Sequence, residues 1–185
     1  FGMSFQEAAS IGLVFTTAWQ MLVRRSRIRP GEFVLIHGAG SGVSTAAIQI
    51  AKLFQAEIAV TSGSEKKLEQ AKRLGAHHLI HYKSQDFVKE VKKLRHAGTD
   101  IILDHVGQDF WEQNIRALRN GGRLVSCGAT SGGEGKTDLK HFFFRQLQLL
   151  GSTMGSKADF PKILRQFELG RFTAVIDREF PLGDI

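Results

Sequence analysis

Apolar residues along the chain follow two rhythms that take turns. Short runs rich in Val, Ile, Leu and Phe at 33–36, 57–61, 78–82, 100–104, 123–127 and 148–152 predict six strands, several of them apolar almost throughout, as strands covered on both faces are. Between them apolar positions recur every three to four residues and predict five helices. The first runs from Ser44 to about Phe54 on Ala47, Ile48, Ile50 and Ala51. The second has Ser64 as N-cap, Leu68, Ala71 and Leu74 on one face, and Gly75 as its stop. The third carries Phe87, Val88, Val91 and Leu94 behind a Ser84 cap. The fourth carries Trp111, Ile115 and Leu118 between a capping-box-like Asp109/Glu112 pair and a stop at Asn120-Gly121-Gly122, and the fifth lies around 139–146. A helical region from Ser4 to about Arg25, weakened at Gly12, precedes this series, and a last helix starting at Asp159 and Pro161 follows it.

Strands and helices alternating through short links require right-handed crossovers, hence an α/β, doubly wound, six-stranded parallel sheet. The expected order is 3-2-1-4-5-6, with a ligand crevice over the carboxyl ends of strands one and four. At the end of the first strand stands Gly38-Ala39-Gly40-Ser41-Gly42-Val43-Ser44. Glycines there let backbone approach a ligand closely, and the unpaired N–H groups of the following helix start attract phosphate. A strict G-x-G-x-x-G is not met, because Val43 stands where the third glycine would be.

Composition narrows the field. The chain has 185 residues, 42% hydrophobic and 23% charged, enough for one domain with a sizeable core. No apolar run is long enough to span a bilayer, and no signal-peptide pattern opens the sequence. A single cysteine, Cys127, excludes an internal disulfide framework and a cysteine-based zinc cluster and fits a reducing, cytoplasmic setting. The net charge of +7 is spread along the chain, and Arg24, Arg25, Arg27 and Arg29 are not interleaved with aromatics, so nucleic acid is not the expected partner. A start at Phe1 and an end at Ile185 suggest a fragment of a longer protein.

The end of the second strand bears on cofactor choice. An acidic residue there would hold a ribose 2′-hydroxyl, whereas Ser62-Gly63-Ser64 followed by Lys66 and Lys67 favours a 2′-phosphate, hence NADP(H) over NAD(H). Asp104 is expected to cap its own loop, Cys127 to be a small core residue, and Phe142-Phe143-Phe144 to serve core and interface.

Five ordered motifs carry a resemblance: Phe15-Thr16-Thr17-Ala18-Trp19-Gln20; His37-Gly38-Ala39-Gly40-Ser41-Gly42-Val43-Ser44 with Ala46-Ala47-Ile48-Gln49; Ala71-Lys72-Arg73-Leu74-Gly75-Ala76; Asp104-His105-Val106-Gly107; and Gly121-Gly122-Arg123-Leu124-Val125 with Gly128. Over about residues 5–154 the chain resembles the Rossmann-fold cofactor-binding domain of the medium-chain dehydrogenase/reductase superfamily, especially its quinone-reductase-like and zinc-type alcohol dehydrogenase branches. The resemblance implies a connecting helical region at 1–30, the dinucleotide-binding domain at 31–155, and a terminal helix at 156–185 leading back to an absent catalytic domain. It implies that Lys67 and Tyr82 contact the 2′-phosphate, that Thr17 lies beside the nicotinamide, and that Val106-Gly107 and Gly128-Ala129-Thr130 approach the nucleosides. Ser44 occupies the place of the family's last loop glycine, its hydroxyl within possible reach of the phosphate. Leu13 occupies the place of a zinc-ligating cysteine, so no zinc is expected in this chain. Substrate and general acid would belong to the absent domain, and a homo-oligomer through the strand at 148–152 is expected.

The resulting reading is an NADP(H)-dependent oxidoreductase acting on a carbonyl, quinone or enone. A non-catalytic nucleotide- or RNA-binding module, or an S-adenosylmethionine-dependent methyltransferase, are the alternatives, the last disfavoured by Ser62 where an acidic residue would hold the ribose.

Overall fold

The computed structural model describes residues 2–184. Its centre is a six-stranded, all-parallel sheet of order β3-β2-β1-β4-β5-β6, as the alternation predicts. The strands are β1 (Phe33–Ile36), β2 (Glu57–Ser62), β3 (His78–His81), β4 (Thr99–Asp104), β5 (Leu118–Ser126) and β6 (Gln148–Gly151). The helices are α1 (Phe5–Trp19), α2 (Gly42–Leu53), α3 (Glu65–Leu74), α4 (Phe87–Leu94), α5 (Gln108–Ala117), α6 (Leu139–Phe144) and α7 (Phe160–Glu168).

Each central strand buries both faces by the two-residue period of an extended chain. Val34 and Ile36 of β1, Ile58 and Val60 of β2 and Ile101 and Leu103 of β4 face the core shared with α1, α2 and α7. Phe33, Leu35, Ala59 and Ile102 face the other, closed by Phe87 and Val91 of α4, Ile115 of α5 and Leu147. The strand order reverses between β1 and β4, which opens a crevice at their carboxyl ends.

Local details depart from the sequence reading where two signals compete. Helix α4 is capped by Asp86, which accepts the Val88 and Lys89 N–H groups, and not by Ser84, whose hydroxyl donates to the His81 carbonyl. Helix α5 starts from Gly107 without a side-chain cap, and no Asp109/Glu112 box forms; the Asp109 N–H donates to Ser131 Oγ instead. That helix ends at Ala117, and Asn120-Gly121-Gly122 lie inside β5, where the register slips between the Thr99↔Leu118 and Ile101↔Arg123 pairs. Ser64 takes the N-cap position of α3 without a capping bond. α1 continues through Gly12 and gives way at Gln20–Arg25 to a π-helical turn, in which Ser26 N–H reaches back to the Met21 carbonyl. Cys127 is only partly buried, although burial and Asp104 push its thiol pKa up. Phe143 and Phe144 are exposed and stacked at 4.7 Å, so within this chain they are not core.

The arginine cluster after α1 is structural in part. Arg24 Nε donates to Asp159 Oδ2 at 2.7 Å, fastening α1 to the start of α7. The guanidinium holds the buried Asp159 carboxyl below the ordinary carboxylate range. The ion pair therefore adds stability above the unfolded pKa, near 4, and loses it as pH falls through the lower folded value. In acid titrations followed by circular dichroism, wild type should lose stability below about pH 4 more steeply than Asp159→Asn, by a modest amount because Arg24 is half exposed. Superimposable acid limbs would contradict this.

Candidate functional site

A cavity of about 370 Å³ opens at the carboxyl ends of β1, β2 and β4, lined by Gly38, Gly40, Ser41, Ser62, Gly63, Ser64, Lys67, Tyr82, Lys83 and His105. Eight of these are residues singled out from the sequence, from the links after β1, β2 and β3, and His105 adds the link after β4.

The floor is the turn from β1 into α2. Gly38 has φ +64°, a left-handed conformation, and a Cβ there would lie 2.7 Å from His105 Cε1. Gly40 lies under the aliphatic chain of Lys67, whose Cδ would stand 2.5 Å from a Cβ at that position. Ser41 caps α2 by accepting the Ser44 N–H at 3.1 Å, which leaves the first N–H groups of the helix, on Gly42 and Val43, at its open end. Val14 of α1 packs where a Cβ on Gly42 would go, and Val43 is half buried against the core. Ser44 is fully buried, and its hydroxyl donates to the His37 carbonyl at 2.7 Å, bracing the turn from below.

One wall is the link after β2. Ser62 Oγ accepts the Ser64 N–H at 3.2 Å, and the space beside Gly63 is filled by Tyr82 Oη and Lys83 Cε. Tyr82 is steadied by an edge-on contact with Phe110 at 5.3 Å. Among the described residues lining the cavity there is no carboxylate, while Lys67 and Lys83 bring two cations. A doubly anionic diphosphate with a further phosphate nearby fits this donor set: small residues for close approach, hydroxyls, helix N–H groups and lysines.

The opposite wall is the link after β4. Asp104, fully buried, accepts the Val106 N–H at 3.1 Å and the Gly107 N–H at 3.2 Å, which is the loop-capping role expected of it. Burial pushes its pKa up against the pull of those two bonds. The loop is zipped to the one after β5: the His105 carbonyl accepts from Thr130 N–H and Oγ, and the Val106 carbonyl from Ser131 N–H and Oγ. Gly107, at φ +87°, passes so close that a Cβ would meet Ala129 Cα at 2.8 Å. Val106, Gly107, Gly128, Ala129 and Thr130 thus form one rim beside the cavity without lining it. Thr17 is buried within α1 and does not line it either.

Sequence reasoning missed Lys83, His105 and a buried polar string beneath the crevice. His37 Nδ1 lies 2.8 Å from Thr61 Oγ1, and Nε2 lies 2.6 Å from Asn114 Oδ1. Burial pushes the His37 imidazole down to about 4, with Asn114 acting against that and His105 adding to it, so the ring is neutral at ordinary pH. A neutral ring that gives its Nε2 proton to Asn114 accepts from Thr61 at Nδ1. Asn114 Nδ2 has no partner within hydrogen-bond distance, yet it faces Asp104 closely enough to draw that carboxyl's pKa down. The string joins the ends of β2, β1 and β4 to α5. No motif announces it, because its members are single polar residues up to 77 positions apart.

Among the described residues no group of three or more His, Cys, Asp or Glu side chains is placed to hold a metal ion, and Leu13 is an exposed apolar residue without a donor atom. Among the described residues no helix is long and apolar enough to cross a membrane.

Comparison with known proteins agrees with this architecture. The model of the family described as zinc-binding dehydrogenase matches residues 42–168. Human quinone oxidoreductase is 28% identical over 99% of this chain, which spans 57% of that protein. A crystal structure of an NAD-dependent alcohol dehydrogenase is 51% identical and superimposes with a TM-score of 0.87 over 92% of this chain and 50% of its own. The 2-octenoyl-CoA carboxylase reductase CinF, solved with NADP and 2-octenoyl-CoA, is 26% identical with a TM-score of 0.86, over 94% of this chain and 43% of its own. The chain therefore spans about half the length of these relatives. With the family model covering most of the chain and the six-stranded parallel order in place, this protein belongs to the zinc-binding dehydrogenase family of the medium-chain dehydrogenase/reductase superfamily, to which it contributes the Rossmann domain.

Proposed function

We propose that this chain binds a nicotinamide dinucleotide across the crevice over β1 and β4, prefers NADP(H), and is the cofactor domain of an oxidoreductase. The observation that carries the reading is the cavity itself: Lys67, Lys83, Tyr82 and three serines at its lip, without a carboxylate that would repel a 2′-phosphate. When bound, the nicotinamide supplies or accepts a hydride at C4. This chain's residues hold the diphosphate against Gly38–Ser41 and the adenosine end near Ser62–Lys67, while a carbonyl, quinone or enone would be presented by a further domain. A cytoplasmic setting and a second copy of the chain belong to the same reading, the latter because β6 is an edge strand with Gln148 and Gly151 exposed and the preceding helix leaves Phe143 and Phe144 uncovered.

The 51% identical structure described as NAD-dependent favours the opposite preference, so the ratio of the two affinities is the deciding measurement. In fluorescence titrations NADPH should bind about tenfold or more tightly than NADH, the worth of one charge-assisted contact, and Lys67→Ala should bring the ratio close to one. Equal affinities before and after the change, or tighter NADH, would remove the preference.

A further inference from the structure

Resting on the dinucleotide reading, we propose that His105 is a diphosphate ligand that binds in its protonated form, so that cofactor affinity rises as pH falls through the range in which imidazoles gain a proton. Its ring stands between the two loops the diphosphate must pass, half buried, with one face against Gly38, whose missing Cβ makes room for it. Nε2 lies 3.1 Å from Ser41 Oγ and 3.2 Å from Ser44 Oγ at the mouth of α2. The backbone on either side is fixed: the His105 carbonyl is held by Thr130, and the next two N–H groups by Asp104. A cation on a ring so confined has the anion as its natural partner, because the protonated nitrogen's present neighbours are two hydroxyl oxygens.

The charged groups around it set the direction. Asp104, on the same strand end, favours the imidazolium, while Lys67 from α3 and Lys83 after β3 oppose it across the cavity. His37 beneath is neutral until the pH falls toward about 4. A bound diphosphate places two further negative charges beside the ring and favours the imidazolium. Binding is then accompanied by net proton uptake at the imidazole, and release by its return to solvent.

The test is calorimetric titration of the chain with ADP-ribose and with NADH from pH 5.5 to 8.5, in buffers of different ionisation enthalpy. Both probes keep the diphosphate, and neither has a 2′-phosphate whose own titration would overlap. Affinity for each should fall about tenfold from the acid to the alkaline end, with net proton uptake near neutrality, and His105→Gln should flatten the profile to within about twofold. A profile unchanged in His105→Gln, or a pH dependence seen with NADH and absent with ADP-ribose, overturns the assignment to His105 and the diphosphate while leaving dinucleotide binding intact. Absence of binding by wild type to either probe or to NADPH at every pH overturns the dinucleotide reading and this inference together. Should the variant fail to fold, the His105 ring resonance of wild type is followed by NMR: its midpoint should move to higher pH on adding ADP-ribose, and a midpoint that stays or falls refutes the proposal.

Discussion

Asp104→Ala is expected to unfold about 2–4 kcal/mol more easily than wild type, as one buried and one part-buried N–H group lose their acceptor at about 1–3 kcal/mol each. The affected groups are those of Val106 and Gly107, and with them goes the anchor of the rim that Thr130 and Ser131 complete. Dinucleotide affinity should fall with stability, about tenfold or more, since a misplaced wall loses several contacts at once. Asp104→Asn keeps one acceptor and removes the burial of a charge, so its loss should be under half as large. The pH trend separates the two effects. Because burial raises the Asp104 pKa in the folded chain, the fold favours its protonated form, and lowering pH through that raised value adds stability. That sign is opposite to the one argued for Asp159, and the rise should vanish in Asp104→Asn. Chemical denaturation at several pH values, with NADH titrations alongside, reads all of this; a wild-type-like midpoint for Asp104→Ala would show that the two N–H groups find other partners.

Gly38→Val carries the second large effect. A β-branched residue at φ +64° costs about 1–3 kcal/mol in backbone strain alone, and its first carbon would stand 2.7 Å from the His105 ring. The ring must turn out into the cavity, so dinucleotide binding should weaken about fiftyfold or more while the sheet still forms. Gly40→Ala is the informative contrast. Gly40 has an ordinary backbone and only the flexible Lys67 chain in the way, so stability should change by less than about 1 kcal/mol. Its effect should fall on NADPH more than on NADH, through the displaced lysine. Equal losses for the two coenzymes would detach Lys67 from the 2′-phosphate.

How much of this could be read from the chain depends on the kind of signal. The six strands and their order were legible because each is an apolar run joined by a short link, and right-handed crossovers leave few arrangements. The glycine turn after β1 and the Ser62–Lys67 segment stood out in the chain by residue type, glycines where backbone comes close and lysines where an acid is expected, and the structure brings both to one cavity. Asp104 was read correctly because a carboxylate two residues ahead of Val106 has backbone N–H groups within reach of itself. Ser84 and Asp86 are both good caps two residues apart, and only the packing of Phe87 decides between them. Asn120-Gly121-Gly122 looks like a stop, yet β4 pairs with Leu118 before it and Arg123 after it, and the sheet absorbs the extra residues as a register slip. His37 and Asn114 carry no local mark at all; a buried histidine shows itself only when its partners, from β2 and α5, are seen around it.

One feature of the sheet reaches beyond any single residue. With every strand running the same way, the links that meet the ligand all lie at one end, and those that turn the chain back, at Gly31, Gly75 and Gly98, all lie at the other. On the function proposed above, coenzyme choice would hang on a six-residue segment, 62–67, at the end of β2 and the start of α3, which among the described residues shares no hydrogen bond with the far end. A lineage could therefore exchange 62–67 and change its redox currency without renegotiating the foundation on which the domain stands.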